Sequence, residues 1–319
     1  MFKLSKPIRH RLGFVTLAVA LGLSHPSFAA DTASEQSVFS SPDEAVAALV
    51  RAVKSEGTAE IVRVLGPQGA EIADSGDPVA DAARREKFIA AFDEANKLDR
   101  VKDTEAVLVI GHDEFPFPVP LVETAGKWRW DTVAGLDEIL TRRIGENELA
   151  ALKVMQAYLD AQREYAALDR DGRGPQYARR LLSREGKKDG LYWPASGDGD
   201  ESPLGPLMAN AQRQGYARTD STGAPRAYHG YFYRILYSQG PSANGGQREY
   251  LINGRMIGGF GLIAIPADYG NSGVMTFIVD DDGVVFEKDL GAETARESAR
   301  IYSFDPDNTW TKVSLPAGE

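Results

Sequence analysis

The fold of this chain is decided by the stretch YGNSGVMTFIVDDDGVVFEKD at residues 269–289, in which three consecutive aspartates stand between two apolar runs. The runs Val274–Val279 and Val284–Phe286 suit the centre of a sheet, and Asp282-Gly283 is a pair favoured in tight hairpin turns. We therefore predict a β-hairpin, with the first two aspartates at the mouth of the turn, where water solvates their charges. Ion binding by the aspartates is the alternative interpretation.

The sequence before this hairpin predicts a half of the protein in which one long helix precedes an antiparallel sheet. Apolar residues recur at helical spacing over residues 147–168, and Gly145 separates this helix from a shorter one. Strand signals follow from Tyr228 onward, including the Asn253-Gly254 pair of a two-residue hairpin. We assign residues 135–319 to this α+β domain.

The preceding part of the chain combines helices with a small sheet. Ser41-Pro42-Asp43-Glu44 can cap a first helix, and Asp77-Pro78 begins a later one. A buried strand is predicted at residues 106–110, and the stretch FPFPVPL follows at residues 115–121. Its three prolines stand at alternate positions, so the N–H groups that they lack would all lie on one edge of a strand, which predicts an outer strand. We predict an α+β domain of cystatin-like architecture over residues 36–134.

The first 29 residues have the pattern of a secretory signal peptide. Four basic residues precede the apolar run LGFVTLAVALGL at residues 12–23, and Ser27-Phe28-Ala29 offers small residues at the two positions that signal peptidase reads. The run is shorter than the roughly 20 residues of a membrane-spanning helix, and no other segment of the sequence is long and apolar enough to cross. We predict cleavage after Ala29 and a periplasmic or secreted protein, with an uncleaved membrane anchor as the alternative.

Composition excludes several kinds of site and partner. The sequence contains no cysteine, so disulfide bonds and lipoprotein attachment are excluded. It carries 36 basic and 46 acidic residues, a net charge of −10, and removal of the basic signal peptide makes that charge more negative. Such a surface disfavours nucleic acid and anionic lipid as partners, because both require cations for their neutralisation.

Four longer phrases of the sequence carry a family resemblance. They are PFPVPLVETAGKWRWDT, NELAALKVMQAYLDAQREYAALDRDG, DGLYWP and, above all, MIGGFGLIAIPADYGNSGVMTFIVDDDGVVFEKDLG. With these phrases the chain resembles a bacterial family of exported proteins, the domain of unknown function 2950 family, and the resemblance implies no activity. The second half also resembles the headgroups of type IV pilins and pseudopilins. Because the chain has no prepilin leader, that second resemblance implies architecture and not filament assembly.

Candidate catalytic residues are few. Without the signal peptide two histidines remain, His112 in a charged loop and His229 at a strand entry, and neither lies in a nucleophile or oxyanion motif. Phosphate-loop and dinucleotide fingerprints are absent from the sequence. We assign no catalytic residue. The alternative is a hydrolase or ligand-binding enzyme that uses carboxylates, for which Asp113, Glu114 and Asp131 are the nearest candidates.

A loop with the sequence DRDGRG begins like a calcium-binding EF-hand loop. Its carboxylates, Asp169 and Asp171, stand at alternate positions, and a glycine occupies the sixth position. Arg173 at the third ligand position and Arg180 at the twelfth oppose a cation, which favours a helix-ending turn. We predict no cofactor, with calcium as the ion that Asp169 and Asp171 would hold.

Tyr192 and Trp193 are the ligand-binding candidates. They lie in a loop rich in proline and glycine, where large aromatic side chains have a better chance of exposure than in strands, and they could stack on a sugar, on peptidoglycan or on another protein. Packing in the core is the alternative. The sequence predicts an exported, non-enzymatic envelope protein that binds or scaffolds another envelope component.

Overall fold

The computed structural model describes residues 36–197, 199–216, 219 and 225–313. The predicted signal peptide, residues 1–29, lies outside this part of the chain. The described residues form seven helices and fourteen strands, and every pairing between these strands is antiparallel. The predicted α+β class, with antiparallel sheets and one long helix, is confirmed. No helix within the described ranges is both long and apolar enough to cross a membrane.

The elements follow one another with helices first and strands concentrated in two regions. The helices are α1 (Pro42–Lys54), α2 (Thr58–Leu65), α3 (Gly69–Ala73), α4 (Pro78–Glu94), α5 (Thr132–Ala166), α6 (Gly205–Arg213) and α7 (Thr294–Ser298). The strands of the first region are β1 (Asn96–Lys102), β2 (Glu105–Ile110), β3 (Phe115–Pro116), β4 (Leu121–Thr124) and β5 (Lys127–Trp130). The strands of the second region are β6 (Tyr231–Leu236), β7 (Ser238–Gln239), β8 (Arg248–Glu249), β9 (Leu251–Ile252), β10 (Arg255–Met256), β11 (Gly261–Pro266), β12 (Met275–Asp280), β13 (Val285–Asp289) and β14 (Thr311–Val313).

Both predicted helix starts are confirmed by their caps. The Ser41 hydroxyl accepts a hydrogen bond from the Glu44 N–H at 3.1 Å, and the Glu44 carboxylate in turn accepts the Ser40 N–H at 2.9 Å. At the start of α4 the Asp77 carboxylate accepts the Ala80 N–H at 3.1 Å. These bonds satisfy backbone donors that a helix leaves unpaired at its first turn.

Helix α5 is continuous, so the predicted break at Gly145 is wrong. A glycine inside a helix costs only about 1 kcal/mol relative to alanine, and tertiary contacts on either side outweigh that cost. Two residues earlier Arg143 is buried, and two residues later Asn147 is buried, each with hydrogen bonds to other segments. Packing on both sides therefore keeps α5 continuous at Gly145, although the local helix propensity of glycine predicts an end there.

The first sheet has the strand order β1-β2-β4-β5, with β3 also paired to β2. The stretch predicted as an outer strand, residues 115–121, is divided in the structure: Phe115–Pro116 form β3, which among the described strands pairs with β2 alone, whereas Leu121 begins β4, which lies between β2 and β5. The predicted outer position therefore holds for β3 and not for Leu121. Pro116 ends the short strand β3, and the Phe117 N–H still donates to the Leu108 carbonyl of β2 at 2.7 Å. The chain then leaves the ladder at residues 118–120, where Val119 is fully buried. Strand β1 forms one edge and was not predicted, since its sequence NKLDRVK is polar on both faces.

The second sheet has the order β14-β13-β12-β11-β6 and contains the hairpin predicted at the three aspartates. Strands β12 and β13 pair with Val279 opposite Val285, and Gly283 in the turn has a φ of 79°. The Asn253-Gly254 hairpin is also confirmed: both residues have positive φ, 50° and 75°, as a primed two-residue turn requires.

Hydrophobic packing in the described part of the chain is divided among three clusters. One cluster lies between the first sheet and helices α1 and α2, with Trp130 and Leu121 at its centre. The largest lies between α5, the following loop and one face of the second sheet, and includes Tyr158 and Phe260. A third covers the opposite face of that sheet around Phe304. Helix α5 begins beside the first cluster and ends in the second, which places its last turn at the loop described below.

A buried arginine joins the helical region to the second sheet. Arg143 of α5 is 3% exposed and donates to the carbonyl oxygens of Glu71 and Ile72 at 2.7 Å each. These carbonyls stand at the end of α3, where a helix leaves acceptors unpaired. The same guanidinium donates to the Asn271 side chain in the turn before β12. Burial lowers the pKa of Arg143, and the positive charge of Arg84 adds to this effect.

Further buried polar contacts connect the same two regions. The Asp77 carboxylate accepts the Tyr216 hydroxyl at 2.8 Å and the Gly230 N–H at 3.1 Å. The Asn147 amide donates to the Ser272 carbonyl at 2.8 Å. Each group is satisfied in place, as buried polar groups require. We interpret this set, together with Arg143, as a structural joint.

Candidate functional site

A cleft of about 760 Å³ opens where α5 ends and the chain continues into a loop. Its walls come from the end of α5, from the loop up to residue 189 and from the turn between β9 and β10. The basic residues of the wall are Arg170, Arg173, Arg179, Lys187 and Lys188, and the acidic ones are Asp169, Asp171 and Asp189. The remaining lining residues are Tyr165, Leu168, Gln176, Tyr177 and Gly254. We call this opening the basic cleft.

The first part of the loop is folded by its own hydrogen bonds. Asp169 accepts the backbone N–H of Arg173 at 3.1 Å and that of Gly174 at 3.0 Å. Asp171 accepts the Arg173 guanidinium at 2.8 Å and the Gln176 amide at 2.8 Å. Gly174 has a φ of 94°, a conformation that side chains disfavour. The two aspartates therefore set the shape of the turn.

A cation–aromatic stack forms the back of the basic cleft. The Arg170 guanidinium lies over the rings of both Tyr165 and Trp193, with its carbon 4.7 Å and 5.2 Å from their centres. The Lys188 ammonium is 5.5 Å from the centre of the Trp193 ring. The Trp193 indole N–H donates to the Asp200 carbonyl at 3.1 Å, which fixes the ring plane. Such stacks attract a cation to an aromatic face by about 0.5–2 kcal/mol.

The Arg170 side chain keeps one donor without a partner. Its Nε is buried and makes no hydrogen bond with any residue that the structure describes. A buried, unpaired donor costs free energy, and stacking on two aromatic rings offsets part of that cost. The guanidinium is thus held by packing rather than by hydrogen bonds.

Hydrogen bonds keep the neighbouring carboxylates ionised. The side chains of Lys188 and Ser196 hold the pKa of Asp200 far below its ordinary value. The Arg173 guanidinium likewise lowers the pKa of Asp171. Because each carboxylate is bonded to a cation of the same loop, these acids neutralise part of the positive charge and remain acceptors at neutral pH.

The lining of the basic cleft nevertheless has a positive surplus. Asp189 is bonded to Arg184, which lies outside the lining, at 2.6 Å. The side chains of Arg179 and Lys187 form no ion pair with another residue in the described ranges. Five cations therefore face three carboxylates in a protein whose net charge is −10. The cleft suits an anion.

The two aromatic candidates from the sequence occupy different positions. Trp193 is 5% exposed and belongs to the core cluster of α5. The Arg170 guanidinium covers the face of its ring that is directed toward the cleft. Tyr192 is half-buried, does not line the cleft and pairs with Leu182 in an isolated bridge. A ligand in the cleft would meet Arg170 and Lys188, with Trp193 behind them.

The two metal candidates lie in the lining of the cleft. Asp169 and Asp171 direct their oxygens to donors of their own loop, as described above. From the sequence, Arg173 opposes calcium binding because of its positive charge. In the structure both aspartates accept hydrogen bonds from Arg173. Within the described ranges no group of three or more histidine, aspartate or glutamate residues is arranged to hold a metal ion.

The two histidines lie in different parts of the fold, His112 after β2 and His229 just before β6. His112 is exposed, with its Nε2 3.5 Å from the Glu94 carboxylate. His229 is half-buried, has a φ of 50° and lies against the rings of Tyr216 and Tyr228. Burial lowers the pKa of His229. Neither lines the basic cleft.

The carboxylates of the enzymatic alternative do not line the basic cleft either. Asp113 and Glu114 are exposed in the turn after β2, where Glu114 pairs with Lys97 at 2.8 Å. Asp131 directly precedes α5. Catalysis by paired carboxylates requires that both face one substrate, which this placement does not provide at the cleft.

The three aspartates at the hairpin turn have three different environments. Asp280 is 2% exposed, and burial, followed by the charges of Asp282 and Asp281, raises its pKa to about 7. Asp281 pairs with Arg248 at 3.0 Å, and Asp282 accepts the Asn244 amide at 2.9 Å. The expectation that water solvates Asp280 is wrong. The turn is instead tied to the loop between β7 and β8.

Sequence reasoning found the cleft's aspartates and its tryptophan but missed its cations. The signal was present, because Arg170, Arg173, Arg179, Lys187 and Lys188 fall within one short segment of an acidic chain. A local excess of basic residues indicates an anion-binding surface. The stacking of Arg170 could not be read from spacing, since it depends on how the loop returns to α5.

Comparison with known proteins adds a family but no activity. The family described as protein of unknown function (DUF2950) matches residues 36–313. No curated protein and no solved structure matches the chain. The match covers every helix and strand that the structure describes, and the pilin resemblance is not confirmed.

Proposed function

The chain belongs to the DUF2950 family of proteins of unknown function, and we propose that it is an exported, non-enzymatic protein that binds an anionic component of the cell envelope in the basic cleft. The observation that carries this proposal is the surplus of cations in an open cleft on an otherwise acidic chain. Complementary charge brings an anion to such a surface and sets its orientation.

The chemistry of the wall favours carboxylate groups on a sugar or peptide chain. Arginine donates paired hydrogen bonds to a carboxylate, and lysine supplies a mobile point charge. Leu168, which is 57% exposed, and Tyr177 add apolar surface, against which a sugar ring or aliphatic chain packs. The carboxylate-rich peptides of a bacterial cell wall have both features. A scaffold role follows if the bound component is itself part of the wall.

Export is the other part of the proposal, and it rests on the pattern of residues 1–29. The protein purified from periplasmic or culture fractions should begin at Ala30 when its N-terminus is sequenced. Recovery of the uncleaved chain from the cytoplasm would contradict export and leave the binding proposal without its partner.

Binding is tested by cosedimentation of the mature protein with purified cell-wall sacculi. We expect saturable binding that weakens as salt is raised, because exposed charges are screened. Sacculi whose carboxylates have been converted to amides should bind much less. Equal binding to both preparations would contradict recognition of an anion.

The variant Lys187→Glu reverses one charge in the wall of the cleft. An exposed charge pair is worth about 1 kcal/mol, and reversal removes an attraction and adds a repulsion, so we expect binding at low salt to weaken by roughly thirtyfold at most. The matched control is Lys153→Glu, the same change at an exposed position in the middle of α5. Equal losses in both variants would assign the effect to net charge and not to the cleft.

A further inference from the structure

Strand β6 is an edge strand of the second sheet, and half of its backbone N–H and C=O groups point away from its neighbour β11. It comes last in the order β14-β13-β12-β11-β6. The Ala267 N–H donates to the Gly230 carbonyl, and Tyr231 lies opposite Pro266, which has no N–H. Because the direction of backbone groups alternates along a strand, residues 232, 234 and 236 bond β11. The N–H and C=O groups of Tyr233 and Ile235 therefore point outward.

A second groove runs along this outer edge. It has a volume of about 670 Å³ and lies between β6 and residues 179–182 of the loop. Its lining is Arg179, Arg180, Leu181, Leu182, Tyr233, Arg234, Ile235, Tyr237, Ser238 and Tyr302. The Tyr237 hydroxyl donates to the Arg179 carbonyl at 3.0 Å and closes one end. We call it the edge groove, and it shares only Arg179 with the basic cleft.

The two walls of the edge groove differ in chemistry. On one face of β6 the Arg234 guanidinium lies 6.0 Å from the centre of the Tyr302 ring, and Tyr302 is 72% exposed. Two hydrogen bonds to backbone carbonyls, at 3.0 and 2.8 Å, hold Arg234 in place. On the other face Tyr233 and Ile235 stand with the apolar side chains of Leu181 and Leu182. The lining contains three arginines and no acidic residue.

Natural edge strands are usually protected by a proline, an inward-pointing charge or a covering segment. Within the described ranges no strand pairs with the outer edge of β6, and the sequence YFYRIL contains no proline. An open edge beside a groove is the arrangement through which domains add an extended peptide as a further strand, with main-chain hydrogen bonds supplying affinity and side-chain pockets supplying specificity.

We infer that the edge groove binds an acidic, extended segment of a partner protein, which adds to β6 as a sixth strand of the second sheet. The outward groups of Tyr233 and Ile235 bond its backbone. An extended chain directs alternate side chains to opposite faces, so its acidic residues meet Arg234 and Arg180 and its apolar residues meet Leu181 and Leu182. Charge complementarity selects this occupant, because the lining offers the side chains of three arginines and no carboxylate.

The probe is a fluorescein-labelled hexapeptide in which glutamate and valine alternate, titrated with the mature protein while fluorescence anisotropy is measured. We expect saturable binding with a sub-millimolar Kd and no saturable binding of the matching lysine–valine peptide. A control peptide has the same sequence but carries N-methyl groups at its two central residues. Because adjacent N–H groups of a strand point to opposite edges, this peptide lacks one donor toward β6 whichever edge it presents, and we expect its binding to be lost. Equal binding of the N-methylated peptide, or no saturation by the parent peptide, overturns the inference.

Two variants assign the site. Arg180→Glu changes an exposed side chain whose partner Asp189 keeps its shorter bond to Arg184, and we expect at least about tenfold weaker peptide binding. Lys187→Glu in the basic cleft should leave peptide binding unchanged, which separates this site from the proposed cell-wall site. Equal effects of the two variants overturn the assignment. Sedimentation showing a dimer that Tyr302→Ala dissociates would also overturn it, because a second copy would then occupy the groove.

Discussion

At the scale of single residues, the clearest departure from sequence expectation is the buried carboxyl of Asp280. Its pKa of about 7 in the folded protein lies above the value of about 3.9 for an unfolded chain. The folded state therefore binds more protons than the unfolded state between about pH 4 and 7, and the free energy of unfolding falls as pH rises through that window. Below about pH 4, Asp280 is protonated in both the folded and the unfolded state and does not lower the free energy of unfolding.

The variant Asp280→Asn removes this cost. The amide oxygen can still accept the Asp282 N–H that the carboxylate accepts at 3.2 Å. We expect the free energy of unfolding to rise by about 2–4 kcal/mol at pH 8 and to change little at pH 4, as measured by urea unfolding at both pH values. The control is Asp137→Asn, the same change at an exposed position of α5. A gain for Asp280→Asn that is equal at both pH values would contradict ionisation as its cause.

At the scale of elements, the sequence predicts correctly where local chemistry decides. The cap at Ser41 and the Asn253-Gly254 turn need only neighbouring residues, and both form as expected. Strand β1 could not be predicted, because its polar residues form a strand only by pairing with β2. Arg170 is a similar case at the basic cleft, since Tyr165 and Trp193 meet it only in the folded chain.

Two glycines of α5 give opposite predictions for the same substitution. A Cβ at Gly145 would have no atom within 4 Å, so Gly145→Ala should raise the free energy of unfolding by about 0.5–1 kcal/mol through helix propensity. A Cβ at Gly135 would lie 2.6 Å from the Pro118 carbonyl oxygen. Gly135→Ala should therefore lower the free energy by about 1–3 kcal/mol. Urea unfolding measures both, and destabilisation by Gly145→Ala would contradict the continuous helix.

At the scale of the whole molecule, the boundary predicted between residues 134 and 135 falls inside α5, near its start. The two regions have separate hydrophobic clusters. The sequence could indicate both clusters, because their apolar residues recur at the spacings of helices and strands. The joint at Arg143 was beyond such reasoning, because a buried arginine has no periodic signature. Its partners, Glu71, Ile72 and Asn271, come from both sides of the boundary.

Arg143 should therefore decide whether the two regions unfold together. Arg143→Met keeps the aliphatic stem but leaves the carbonyls of Glu71 and Ile72 without the donor that they have in the parent, and we expect the free energy of unfolding to fall by about 2–4 kcal/mol. In calorimetry the parent should show one transition, and the variant should separate into two as the coupling weakens. The matched control is Arg142→Met, whose charge pairs with Glu138 on the exposed face; there we expect a loss below about 1 kcal/mol and one transition. A single transition in Arg143→Met, at a loss no larger than that of the control, would show that the halves are coupled by other contacts, of which those of Asp77 and Asn147 are the next to test.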